Sequence, residues 1–157
     1  MEFTHVDENN NPSMVGVGSK GITERIAHAQ CEVKIPQIIV EKFDGKEVVT
    51  KKGPVFASAI FAGTQACKKT SELIPFCHQL LLESCKFHLK LEAERGVIVI
   101  DCVVKTHGKT GVEMEALCGV NIAALTIYDM CKALSHDIVI GEIKLMEKSG
   151  GKRDFKR

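Results

Sequence analysis

The apolar patterns of this chain predict an α+β sandwich in the order strand, helix, strand, strand, helix, strand, with an additional helix after the first strand. Three observations point there. Four runs alternate at the strand period: "ITERIAHAQCEVKI", "LESCKFHLKLEAE", "GVIVIDCVVKT" and "DIVIGEIKLMEK". Two long apolar stretches, 54–74 and 111–134, keep a helical character between them. The 157 residues, 45% hydrophobic and 26% charged, suffice for one domain with a real core.

Residues 1–20, with "ENNNPSMVGVGSK", read as a polar, glycine-rich arm. The first strand runs from Ile22 to Ile35. Pro36 then opens a short helix, "PQIIVEKF", closed by Asp44-Gly45. "GKEVVTKKG" is a lysine-rich loop, and Pro54 starts the second helix, which "PFCHQ" breaks. The two alternating runs that follow join tightly at Arg95-Gly96 as a hairpin. Gly111 introduces a long helix to about Leu134, and one more strand leads to a glycine-rich basic tail, 148–157. The β-α-β-β-α-β order is that of a ferredoxin-like sandwich, a fold that hosts many unrelated functions.

Charge excludes little and suggests little: 21 basic and 20 acidic side chains leave a net +1. Nothing global favours nucleic acid or a membrane surface, so any basic site is local. No apolar run is read as reaching the ~20 residues of a membrane span, and the opening "MEFTHVDENNNP" lacks a signal-peptide pattern. Seven cysteines without a CxxC pair read as buried free thiols of a cytoplasmic protein, not as disulfides or zinc ligands.

The long helix poses the chemical question, because Asp129 and Lys132 interrupt "NIAALTIYDMCKAL". At 100° per residue, Glu115, Cys118, Ile122, Leu125, Asp129 and Lys132 share one stripe, with Glu113 opposite. One reading is a solvated i,i+3 ion pair worth a few tenths of a kcal/mol. The other is an acid–base pair on a covered face, as its apolar neighbours suggest, with a lysine pKa moved by burial or by the carboxylate. The helix alone leaves both open. Glu115 and Asp129 lie ~21 Å apart along a continuous helix, longer than most small-molecule pockets. Two ends serving one site would therefore come from different protomers.

Other signals are weaker. Cys77 and His78 are neighbours in a loop, where a Cys-His dyad seldom has the right facing, and His78 stays open as a substrate contact. "THGKTG" lacks the first glycine of a P-loop, since that position is Val103. Lys109 still lies where a helix start offers free N–H groups to an anion. Lys20, Arg25, Lys51, Lys52, Lys148 and Lys152 recur on or near glycine-rich loops and together suit a polyphosphate.

The stretches "THVDENNNPSMVGVGSK", "KKGPVFASAIFAGTQACKKTSELIPFCHQL", "KTGVEMEAL", "LTIYDMCKAL" and "EKSGGKRDF" resemble the cyclic pyranopterin monophosphate synthase family of molybdenum cofactor biosynthesis, from Thr4 to the tail. The resemblance implies a lyase. It would convert 3′,8-cyclo-7,8-dihydro-GTP, the product of a radical SAM enzyme, to cyclic pyranopterin monophosphate with release of pyrophosphate. It also implies a homohexamer, a trimer of dimers, with sites between subunits. No cofactor is implied, though Mg²⁺ could accompany the triphosphate. Matched motif by motif, the resemblance makes Asp129, Lys132 and Lys52 catalytic. Phe76, Cys77, His78, Met114, Glu115, Glu113, Lys148, Lys20 and Arg25 become substrate contacts. Within it, a Lys132 lowered toward neutral pH would be the main acid–base group, oriented by Asp129.

This chain departs from the family pattern at Gly16, Pro54 and Gln79, which replace an aspartate, an aspartate and a proline. These changes bear on loop geometry more than on the reaction. The competing reading is a non-catalytic oligomeric module that binds a nucleotide or effector at subunit interfaces. A third is a structural oligomer with interfacial salt bridges.

Overall fold

The computed structural model describes residues 6, 7, 9 and 11–157; the opening of the arm, Thr4 included, lies outside them. The central strand β1 (Thr23–Lys34) alternates strictly, with Ala27, Ala29, Cys31 and Val33 buried and the intervening residues more exposed. After a one-turn helix α1 (Gln37–Val40), two short strands β2 (Val49–Thr50) and β3 (Gly53–Pro54) form a small hairpin within the lysine-rich loop. Helix α2 (Val55–Lys68) and a one-turn α3 (Thr70–Leu73) follow. Strands β4 (Ser84–Glu92) and β5 (Val97–Gly108) form the expected hairpin, connected by a 3₁₀ turn at Ala93–Arg95. Gly96 closes that turn in the left-handed region, at φ 59°. Helix α4 (Glu113–Cys131), strand β6 (Val139–Ser149) and a two-residue β7 (Phe155–Lys156) complete the chain.

The strands order as β4-β5-β1-β6-β7, every pair antiparallel. Without the short β7, this is the ferredoxin-like arrangement. Register explains the core: Ala29 faces Cys102, Cys31 faces Ile100 and Val33 faces Ile98, so both strands turn their buried residues to the same side. Helices α2 and α4 pack there, α4 over β1, β5 and β6, and α2 beside α4 over β4. The opposite face of the sheet is polar at its centre, where Asp101 accepts from the Gln30 amide at 3.0 Å and meets His28 Nε2 at 2.7 Å.

Three boundaries differ from the sequence expectation. The predicted helix 54–74 divides at Lys69. There the buried Thr70 hydroxyl reaches back to the Ala66 and Cys67 carbonyls at 3.2 and 3.1 Å and competes with the helical ladder. The lysine loop carries the β2–β3 hairpin, and the basic tail adds β7 to the sheet. At 19 residues, α4 is long and apolar enough by length and composition alone to cross a membrane. Half of that stretch is buried within the fold, and its packing on the sheet accounts for its apolar character.

Candidate active site

The chemistry divides between the two ends of α4. At its start, a Cβ on Gly111 would lie 1.9 Å from Glu113 Oε2, so the bare position leaves the Glu113 carboxylate room to fold back over the turn. Lys148 Nζ, on β6, donates to Glu113 Oε1 at 2.9 Å. Arg25 Nε, on β1, donates to the Gly108 carbonyl at 3.3 Å, and Lys109 Nζ donates to the Gly18 carbonyl at 2.7 Å, tying the arm to the loop before α4. The cavity between these elements has a volume of about 210 Å³ and is lined by Lys20, Arg25, Lys109, Lys148, Lys152 and Arg153, with Glu113 as its acid. Six cations around so small a space favour a polyanion as occupant, without a P-loop.

A second cavity of about 370 Å³ adjoins it through Lys20, Thr110, Gly111 and Glu113. Its walls are mixed: Val15 and Val17 of the arm, Phe76, Cys77, His78 and Leu80 of the loop after α3, and Met114 and Glu115 of α4. Glu115 is 4% exposed. Burial, with the nearby Glu113 charge, pushes its carboxyl up to about 7. Burial raises the Cys77 thiol too, followed by the Glu115 charge. An apolar slot with a few polar groups beside a cationic one suits a molecule with a planar head and a phosphate tail.

At the other end of α4, Asp129 is shared by two lysines. Lys132 Nζ donates to Oδ1 and Lys52 Nζ to Oδ2, both at 2.8 Å, and Lys52 also donates to the Asp129 carbonyl at 2.8 Å. Lys52 arrives from the β2–β3 turn, where Gly53 takes φ 113°. Lys132 first and Lys52 second hold the Asp129 carboxyl down at about 2. A cavity of about 380 Å³ lies beside the pair, lined by Thr50, Lys51, Lys52, Met130, Ala133 and Leu134 among others.

Two expectations are corrected here. The C-terminal half of the stripe, which bears Asp129 and Lys132, is not covered within the protomer, where Leu125 is 54% exposed and the Asp129 and Lys132 side chains are 55% and 46% exposed, while Glu115 at its other end is buried. The core takes the neighbouring stripe of Ala116, Val120, Ala123, Ile127 and Met130, because these smaller or central residues face the sheet. Nor is Lys132 lowered toward neutral pH: hydrogen bonding to Asp129, then its charge, push the ammonium upward.

All nine predicted substrate contacts (Phe76, Cys77, His78, Met114, Glu115, Glu113, Lys148, Lys20 and Arg25) line the two joined cavities. The three predicted catalytic residues meet one another, but ~21 Å away along α4. Sequence reading missed Arg153, Thr110 and the apolar wall of Val15, Val17 and Leu80. The basic run "GGKRDF" was a signal for Arg153; nothing local marked the others.

Fold and site together define a ferredoxin-like α+β protein with a cation-lined pocket and a mixed pocket joined at one end of its long helix, and an Asp–Lys–Lys cluster at the other. The profile of the MoaC family matches residues 14–151, and the chain belongs to that family. It is 52% identical over 97% of its length to a molybdenum cofactor biosynthesis bifunctional protein of Synechocystis, and 48% identical over 96% to molybdenum cofactor biosynthesis protein 1 of Dictyostelium discoideum. It spans 45% and 26% of the lengths of these two relatives. A cyclic pyranopterin monophosphate synthase of Xanthomonas axonopodis is 47% identical, matched over 98% of this chain and 92% of its own length.

Proposed function

We propose that this chain converts 3′,8-cyclo-7,8-dihydro-GTP to cyclic pyranopterin monophosphate and pyrophosphate, downstream of a radical SAM enzyme, in a cytoplasm that keeps its seven thiols reduced. The observation that carries the proposal is the pairing of a six-cation pocket with a mixed, planar-head pocket at one helix end. Lys20, Arg25, Lys109, Lys148, Lys152 and Arg153 fit the triphosphate. Phe76, Cys77, His78, Met114 and the protonatable Glu115 fit the base.

The working site is then built from two protomers, one supplying these pockets and its partner the Asp129, Lys132 and Lys52 cluster; a hexamer made as a trimer of dimers meets this need. Opening and rebuilding the purine moves protons at several atoms. In the isolated protomer Asp129 keeps Lys132 protonated, so Lys132 acts first as the acid. The partner's cation pocket brought alongside favours release of that proton, because like charges disfavour the ammonium. In the second half-reaction a sugar hydroxyl attacks the α-phosphorus and its proton passes to a base. The bond to the β-phosphate breaks, and pyrophosphate leaves with the electron pair, its charge met by the lysines and arginines. Any Mg²⁺ would travel with the triphosphate.

The test is incubation with the cyclised GTP and assay of released pyrophosphate. Lys132→Ala should lower turnover at least about a thousandfold, toward the upper range for loss of a general acid, while substrate binding by calorimetry changes little. Binding without turnover by the unaltered chain would favour an effector-binding module instead.

A further inference from the structure

We propose that Cys67, Cys85 and Cys102 form a three-thiolate site for a soft, monovalent metal ion such as Cu(I), separate from both functional ends of α4. The three arrive from α2, β4 and β5, and their sulphurs all lie within 4.8 Å of one another. Cys67 and Cys85 sulphurs are 3.2 Å apart and Cys67 and Cys102 sulphurs 3.8 Å. A metal–sulphur bond of about 2.3 Å sets the sulphurs of a flat three-coordinate site about 4.0 Å apart, so closing on an ion asks only for small side-chain rotations. Three thiolates with no fourth donor among the clustered groups favour a soft ion content with three ligands over Zn²⁺, which prefers four.

The surroundings are shaped for the cluster. A Cβ on Gly119 would lie 2.6 Å from the Cys67 sulphur and 3.2 Å from that of Cys102, so α4 leaves the sulphurs their space by being bare at this position. Cys67 and Cys102 are 2% and 0% exposed, while Cys85 is only half-buried and provides the way in. Uptake exchanges thiol protons for the ion, and those protons leave to solvent.

The experiment uses the full chain, reduced with a non-thiol phosphine and kept without air, titrated with Cu(I) held by a chromogenic chelator. One equivalent of copper per chain should pass to the protein, and X-ray absorption should find three sulphur neighbours at a single distance. Cys85→Ser, at the least buried position of the three, should weaken uptake at least about a hundredfold, the upper end of what loss of even an outer-shell partner costs. Cys31→Ser, a buried thiol outside the cluster, should leave uptake unchanged. Copper uptake indifferent to Cys85→Ser, a site with nitrogen or oxygen neighbours, or no stoichiometric uptake would each overturn the proposal.

Discussion

Glu115 is the residue whose environment most departs from its chemistry in water. A carboxyl moved from 4.5 to about 7 keeps a proton in the folded chain that the unfolded chain has already lost. Between those values the native state binds more protons, so stability falls as pH rises through the window. The full loss is about 3 kcal/mol on the usual conversion of 1.36 kcal/mol per pH unit. Urea unfolding at pH 5 and pH 7.5 should register it, and Glu115→Gln should flatten the difference; a variant that keeps the full pH slope would show that another group carries it. The sequence placed Glu115 among the substrate contacts through its motif and on a stripe that could be covered or solvated. The covered reading holds at Glu115 and fails at Asp129, because helical spacing says which residues share a face and not how far along it the core extends. The same blindness explains Asp129 and Lys132. Their ion pair was legible from spacing, while the exposure of their stripe depended on Ala123 and Ile127 winning the sheet.

At the scale of elements, long periodic segments were legible and short ones were not. β1, the β4–β5 hairpin, α4 and β6 lie within about three residues of expectation, since each repeats its pattern many times. The β2–β3 hairpin has two residues per strand and no room for a period, yet it carries Lys52 to Asp129. The turn from β6 to β7 likewise escaped notice, although it is tightly specified. Gly150 sits at φ 86°, and a Cβ there would come within 1.8 Å of the Glu24 carbonyl oxygen. Gly150→Ala should therefore destabilise the chain by at least about 2 kcal/mol, read as a lower midpoint in thermal unfolding. Because Arg25 and Lys148 flank this turn, phosphate affinity should fall with it. A variant with unchanged midpoint would show that the tail detaches without consequence. The thiol cluster illustrates a further limit: ligand spacing rules see donors on one loop, and Cys67, Cys85 and Cys102 come from three separate elements.

At the scale of the molecule, the separation of the two functional ends makes complementation the decisive prediction. On the proposed two-protomer site, Lys132→Ala and Lys148→Ala chains should each be inactive, since each would damage one half of every site. Unfolded together and refolded as a mixture, they should recover activity in about a quarter of sites, as random pairing in a symmetric assembly demands. Pyrophosphate release from the mixture, against none from either parent, would be the measure. A mixture as silent as its parents would mean that both halves come from one chain, by a rearrangement of α4 not seen in this structure.

The length of α4 then acts as a gauge. Each residue of a helix advances its axis by about 1.5 Å and turns it by about 100°, so deleting one residue between Glu115 and Asp129 would swing the distal lysine a quarter-circle or more out of line. Exposed side chains along this span, such as Leu125, can be exchanged with little effect on its length. Its count of residues cannot be changed on the proposed two-protomer site, because every chain would then turn its distal cluster away from the pockets of its neighbour.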